Sequence, residues 1–236
     1  MGEGKNMENI KEKIKAIIFD MDGTIISTQG IWERVTLDVL SHYGINSITS
    51  DQEKLLSTLQ GMDLRLASSL LIDEFGLACS IEELFARKAE LAKIYLVNQP
   101  IEFIEGFEGF HKKIQKYVIP TSIATNADLN SLKFLSQKLK FDQFFGNNMY
   151  CPIDVENRTK PDPALFLHAA KQLGAQPNDC VVFEDSWAGF QAAKAAGMRC
   201  VAIKNSHNYN YLNYVDVAID NYNQAENALI TISNRQ

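Results

Sequence analysis

Cysteine is sparse and scattered in this chain. Cys79, Cys151, Cys180 and Cys200 are the only four among 236 residues, and no two form a Cys-x-x-Cys pair. That spacing excludes a disulfide framework and a zinc knuckle, so the thiols are expected to be reduced and mostly buried. Histidine offers no metal site either, because none of His42, His111, His168 and His207 stands at ligand spacing from another. Positive charge is also in short supply: 23 Lys and Arg face 29 Asp and Glu, a formal net charge of -6. A nucleic-acid partner needs the opposite balance. Long apolar runs are missing as well. The start, MGEGKNMENIKEKIK, is polar and mixed in charge, without the continuous apolar stretch of a secretory signal or a membrane span. The expectation is a cytoplasmic protein that meets no membrane, in which the glycosylation-like Asn157-Arg158-Thr159 is a chance match. No internal repeat and no low-complexity tract occurs.

What the chain does have is the balance of an ordinary globular protein, 46% hydrophobic and 22% charged. At this length one large domain, or one domain carrying a smaller insert, is expected, since single cores stop growing near roughly 250 residues. The apolar, branched run Ile14 to Phe19 reads as a buried strand that breaks at Asp20-Met21-Asp22-Gly23. Four helical stretches follow, near Ile31 to Tyr43, Asp51 to Gln60, Asp63 to Phe75 and Ser80 to Val97, with no convincing strand between them, and Gln99-Pro100 closes the block. Beyond Gly106 the pattern alternates. Helix Phe107 to Tyr117, strand Ile119 to Thr125, helix Asp128 to Leu139 and strand Phe144 to Cys151 are followed by a helix from Asp162-Pro163 to Leu173. Strand Cys180 to Phe183, helix Trp187 to Ala196, strand Arg199 to Ile203, a short strand near Val215 to Ile219 and a terminal helix complete it. This is an α/β pattern: a parallel sheet wound on both faces over residues 14–29 and 101–236, with residues 30–100 inserted as an all-helical block.

Ligands of such sheets bind outside the carboxyl ends of the strands. There the sequence places Asp20-x-Asp22-Gly23-Thr24, Thr125-Asn126, Lys160-Pro161-Asp162-Pro163 and Glu184-Asp185. Each fragment alone also fits a structural role: a turn, a helix cap or a solvated loop charge. Their joint occurrence at the strand ends of one alternating unit points to a site. Several carboxylates in one cleft need a cation, and hard oxygen ligands suit Mg2+. A phosphate dianion completes the charge balance, with Lys160 and the Thr125 hydroxyl as donors. Alternate residues leaving a strand point the same way, so Asp20 and Asp22 share the site, and Gly23 lets the chain turn. One carboxylate can attack phosphorus while the other serves as acid and then base.

These segments, Asp20-Met21-Asp22-Gly23-Thr24, Thr125, Lys160-Pro161-Asp162-Pro163 and Glu184-Asp185-Ser186-x-Ala188-Gly189, together resemble the haloacid dehalogenase-like superfamily over nearly the whole chain. The closest likeness is to its sugar-phosphate phosphatases and β-phosphoglucomutases. The resemblance implies a Rossmann-like core with a mobile helical cap at residues 30–100. It makes Asp20 nucleophile and metal ligand, Asp22 acid/base and a backbone-carbonyl ligand, Asp185 a metal ligand with Glu184 in support, and Thr125, Asn126 and Lys160 the phosphoryl site. The superfamily's dehalogenases lack the second aspartate and the metal, so Asp22 favours phosphate chemistry. Mutases of this likeness carry a histidine after the nucleophile loop; Ser27 to Trp32 has none, and Arg65 stands one position late after Gly61. Trp32 resembles the phosphatases, although a tryptophan at helical spacing also fits a core position. The expected activity is a Mg2+-dependent phosphatase acting on a small phosphorylated metabolite, as a monomer or weak dimer. A phosphosugar mutase and a binding protein that retains the fold are the alternatives.

Overall fold

In the computed structural model the apolar run at the start of the chain becomes β1 (Ala16–Phe19), all four residues buried. The structure describes residue 8, residues 10–59 and residues 61–234; Gln60, the last residue of the second expected helix, lies outside the described residues. Five further strands, β2 (Thr121–Ala124), β3 (Met149–Tyr150), β4 (Cys180–Glu184), β5 (Arg199–Ile203) and β6 (Val217–Ile219), join β1 in one sheet of order β3-β2-β1-β4-β5-β6. Every pairing is parallel. In the central pair Ala16 stands opposite Cys180 and Phe19 opposite Phe183. The strand runs are continuously apolar because both faces are covered, and alternate residues feed two different clusters. Ile17, Phe19, Val181 and Phe183 point into one, Ala16, Ile18, Cys180 and Val182 into the other.

The helices that follow the sheet are α5 (Phe107–Lys116), α6 (Leu129–Leu139), α8 (Ala164–Gln172), α9 (Trp187–Ala195) and α10 (Ala225–Asn234), with the single-turn α7 (Asp142–Phe145) between α6 and β3. Small side chains of α8 and α9, among them Ala169, Ala192 and Ala193, let those helices sit close on one face. The other face is aromatic. Phe19 has the rings of Phe107, Phe145, Phe183 and Tyr222 at centroid distances of 5.2 to 6.2 Å. His111 belongs to this cluster, fully buried, with Nε2 at 3.0 Å from Thr121 Oγ1; burial lowers its pKa to about 4, so it is a neutral core residue. Tyr222 spans the cluster and donates its hydroxyl to Thr24 O at 3.1 Å, tying the aromatic core to the turn after β1. Cys151, Cys180 and Cys200 are buried, Cys79 is half-buried, and all four are free thiols, as their spacing implies.

The helical block comprises α1 (Gln29–His42), α2 (Ser50–Thr58), α3 (Leu64–Phe75) and α4 (Ile81–Asn98). Its starts are written locally: Thr49 with Gln52 and Ser80 with Glu83 form capping boxes, and Asp63 caps α3. The block has an apolar cluster of its own, including Val39, Leu40, Leu71 and Leu84. It rejoins the sheet unit at the end of α4, where Lys138 of α6 donates to the free carbonyls of Leu96 at 2.6 Å and Gln99 at 3.1 Å. Among the described residues no helix is long and apolar enough to cross a membrane.

One expected element differs. In place of a strand from Phe144 to Cys151, residues 142–145 form α7 and only Met149–Tyr150 pair with the sheet. Phe141 and Phe145, four residues apart, are both buried by one helical turn, and Phe144 packs half-buried against the same cluster, whereas a strand would have sent it to the opposite face. Gly146, with φ at +56°, then ends the turn.

Candidate active site

Asp20 is the first residue past β1, in the middle of the sheet, and its N–H donates to Phe183 O at 2.9 Å. This backbone bond carries the β1–β4 ladder one residue beyond the strand and fixes where the carboxylate leaves the sheet. Gly23 has φ at +78°, and a Cβ there would lie 2.2 Å from Asp185 Oδ2. No other residue lets the turn lie against the neighbouring strand end.

Lys160 reaches the same place from the loop before α8. It is 1% exposed, and its Nζ lies 2.6 Å from Asp20 Oδ1 and 2.8 Å from Glu184 Oε2. Burial opposes the ammonium, but Asp20 and Glu184 outweigh it and hold its pKa above the usual lysine value. Glu184, the last residue of β4, uses its other oxygen to accept from the backbone N–H groups of Asp185 and Ser186, both at 3.0 Å, and from the Ser186 hydroxyl at 2.9 Å. It therefore positions Lys160 and the start of α9 together. Gly189 makes room for it: a Cβ there would lie 1.9 Å from the Glu184 carboxyl carbon.

One carboxylate oxygen from each of Asp20, Glu184 and Asp185 lies within 4.8 Å of the other two, and all three residues are buried. One ammonium cannot balance three such groups. Burial, then Glu184, pushes Asp20 well above the ordinary carboxylate range, and the same two causes, in the same order, raise Asp185 to about 8. Charge balance and donor type both fit a divalent cation with a preference for oxygen.

Thr125, past β2, is 1% exposed, and its Oγ1 accepts from Ala127 N at 3.0 Å. Asn126 is a brace: its Oδ1 accepts from Lys160 N at 2.9 Å and its Nδ2 donates to Gly61 O of the helical block at 2.9 Å. The helix that follows is capped by Asp128, which accepts from the N–H groups of Asn130 and Ser131. All eight residues singled out from the sequence, Asp20, Asp22, Gly23, Thr125, Asn126, Lys160, Glu184 and Asp185, thus lie at or just beyond the carboxyl edge of the sheet.

Five further side chains hold the acidic residues; of these only Trp32 and, within its motif, Thr24 figure in the sequence reading, and neither is given this role there. Asp185 is held by Thr24 Oγ1 at 3.0 Å, Gln29 Nε2 at 2.7 Å and Asn205 Nδ2 at 3.0 Å. Thr28 Oγ1 and Trp32 Nε1 donate to Asp22 Oδ1 at 2.6 and 3.1 Å. Gln29 and Trp32 come from α1, so the helical block places side chains on both acidic motifs. Trp32 is half-buried against the core, but its indole N–H makes it more than a packing residue. Burial raises Asp22 while the Thr28 and Trp32 donors oppose the rise.

Between the sheet edge and the helical block lies a cavity of about 1040 Å3, lined by Asp20, Asp22, Thr125 and Asn126 on one side and by residues of α1 to α4 on the other. Residues 14–197 match the family model of haloacid dehalogenase-like hydrolases. The chain belongs to the haloacid dehalogenase-like hydrolases. Within that family it is 29% identical over 187 residues to the 6-phosphogluconate phosphatase of Escherichia coli, covering 79% of this chain and 80% of that protein. It is also 29% identical over 196 residues to the fructose-1-phosphate phosphatase of the same organism, covering 82% and 98%. A family IA, variant 3 hydrolase of the haloacid dehalogenase type from Entamoeba histolytica shares the fold at a TM-score of 0.80 and 23% identity, over 94% of this chain and 100% of that one. The acidic cluster sits in the matched span, and Asn205, which holds Asp185, lies just beyond it.

Proposed function

We propose that this hydrolase is a Mg2+-dependent phosphatase that acts on small phosphate monoesters, sugar or polyol phosphates, through an aspartyl-phosphate on Asp20. The buried contact of Asp20 with Lys160, beside Glu184 and Asp185, is the observation that carries the reading. The phosphatases among its relatives support it. Asp20, Asp185 and the backbone carbonyl of Asp22 would hold the cation, which when bound screens the substrate phosphate from the attacking carboxylate.

The chain's own residues then divide the work. An Asp20 oxygen bonds to phosphorus as the bond from phosphorus to the ester oxygen breaks, and Asp22 gives its proton to the departing alkoxide. The upward push of burial on Asp22 favours the protonated form that this step needs. In the second half Asp22 takes a proton from water as the water oxygen bonds to phosphorus and the bond to Asp20 breaks. Lys160, the Thr125 hydroxyl and Asn126 hold the phosphoryl oxygens, and Glu184 keeps Lys160 in place. Residues 30–100 act as a cap over a core of residues 14–29 and 101–236, excluding bulk water while the phosphoenzyme forms. A mutase would share Asp20, but the side chains that reach Asp22 are Thr28 at the end of the core segment and Trp32 of the cap, neither of which can act as acid or base towards a sugar hydroxyl.

The first test is turnover of an aryl phosphate. Phosphate release is expected with Mg2+, to fall to background with a chelator, and to return when Mg2+ is restored. Release that is indifferent to chelation and readdition would contradict the metal assignment.

A further inference from the structure

Helix α4 is held by a stripe of buried positions four residues apart, Leu84, Lys88, Ala92 and Leu96. Three are apolar, as a core-facing stripe requires. The fourth is a lysine, 3% exposed, that lines the cavity shared with Asp20 and Asp22. The other basic side chains on the cavity wall have acidic partners: Lys54 pairs with Asp51 at 2.7 Å, Arg65 with Glu82 at 3.2 Å, and His207 with Glu33 at 2.5 Å. Among the described residues no hydrogen bond or ion pair reaches the Lys88 ammonium. Burial lowers its pKa to about 8 with no carboxylate opposing the fall, yet at neutral pH the group still carries its charge. A buried, unpaired ammonium is unfavourable in the free protein, and an anion that enters the cavity removes that penalty.

We propose that Lys88 recognises an acidic group, a carboxylate or a second phosphate, on the part of the substrate remote from the transferred phosphoryl group. The natural substrate is then a small phosphomonoester that carries a further negative charge. This rests on the phosphatase reading and narrows it. The rest of the wall sharpens the selection, because Glu33, Glu53, Asp63 and Asp128 also line the cavity and would repel a second anion that had no cation to meet. The volume, about 1040 Å3, accommodates a phosphorylated sugar acid with room to spare.

The test compares kcat/KM within matched pairs: phosphogluconate against the corresponding sorbitol phosphate, and phosphoglycerate against glycerol phosphate. Each pair exchanges a carboxylate for a hydroxymethyl group. The native enzyme is expected to prefer the acid by about tenfold or more, the scale of one charge-assisted hydrogen bond. Lys88→Met, similar in shape and uncharged, should collapse that ratio towards unity, mainly through KM of the acid, and Lys88→Arg should keep part of it. Because the readout is a ratio of two substrates on one sample, any loss of folded protein cancels. Equal use of both members by the native enzyme, or an unchanged preference in Lys88→Met, overturns the inference alone. If the native enzyme with Mg2+ also leaves aryl phosphate untouched, the phosphatase reading falls and this inference falls with it.

Discussion

Asp20→Asn is expected to abolish phosphate release from every substrate, a loss of at least about 10^4-fold in kcat, while the protein stays folded. An amide cannot form the acyl phosphate, and it is a weaker ligand for a hard cation. The fold should tolerate the exchange because Asn keeps the shape. It also removes one negative charge from a buried group of three, and Lys160 retains its contact with Glu184 at 2.8 Å. Phosphate release and thermal unfolding measured on the same preparation check both halves. Activity within tenfold of native in a folded Asp20→Asn variant would remove Asp20 from the mechanism.

Lys160→Met should cost both stability and activity, and this double loss separates it from any surface lysine. Breaking a buried ion pair from one side leaves uncompensated charge, at a cost of roughly 3 to 5 kcal/mol, and Lys160 is the shared partner of two buried carboxylates. In a chain of this size that is a fall in Tm of about 10 °C. An exposed pair such as Arg65–Glu82, with side chains 55% and 74% exposed, contributes at most about 1 kcal/mol. Bound Mg2+ should return part of the stability by occupying the acidic cluster. It should leave the catalytic defect, roughly 100-fold for one lost donor to the transferring group, uncorrected. A Tm fall with kcat within threefold of native would make Lys160 a structural residue only.

The sheet was readable from sequence because its strands are buried on both faces. Runs such as Ile17-Ile18-Phe19 and Val181-Val182-Phe183 have no polar face to blur them. The acidic residues were readable because strand ends converge in a parallel sheet, which places Asp20, Thr125 and Asp185 before any contact is known. Asn205 follows from the same rule applied to β5, the strand to which it was not applied. The helix α7 was missed because a single turn is too short to show helical periodicity, and only the burial of Phe141 and Phe145 decides it. Gln29 and Trp32 were beyond local reading. The helical spacing of Trp32 fits a core position as well as a site, and only the seating of α1 on the sheet edge brings the amide and indole N–H groups of Gln29 and Trp32 to Asp185 and Asp22. Lys88 did leave a trace, a charge within an apolar stripe of period four, and its meaning depends on the cavity beside it.

The central claim is that phosphate passes through a covalent intermediate on Asp20, and trapping that intermediate tests it most directly. Asp22→Ala keeps the nucleophile but lacks the base for the second half-reaction, so with an aryl phosphate, whose leaving group needs little acid help, phosphoenzyme should accumulate. Mixed with aryl phosphate carrying a radiolabelled phosphoryl group and quenched in acid, this variant is predicted to release a burst of aryl alcohol close to one equivalent of enzyme, with the label on the peptide that contains Asp20 and removable by hydroxylamine. Label on any other residue, or steady release of phosphate at the native rate without a burst, would contradict the account.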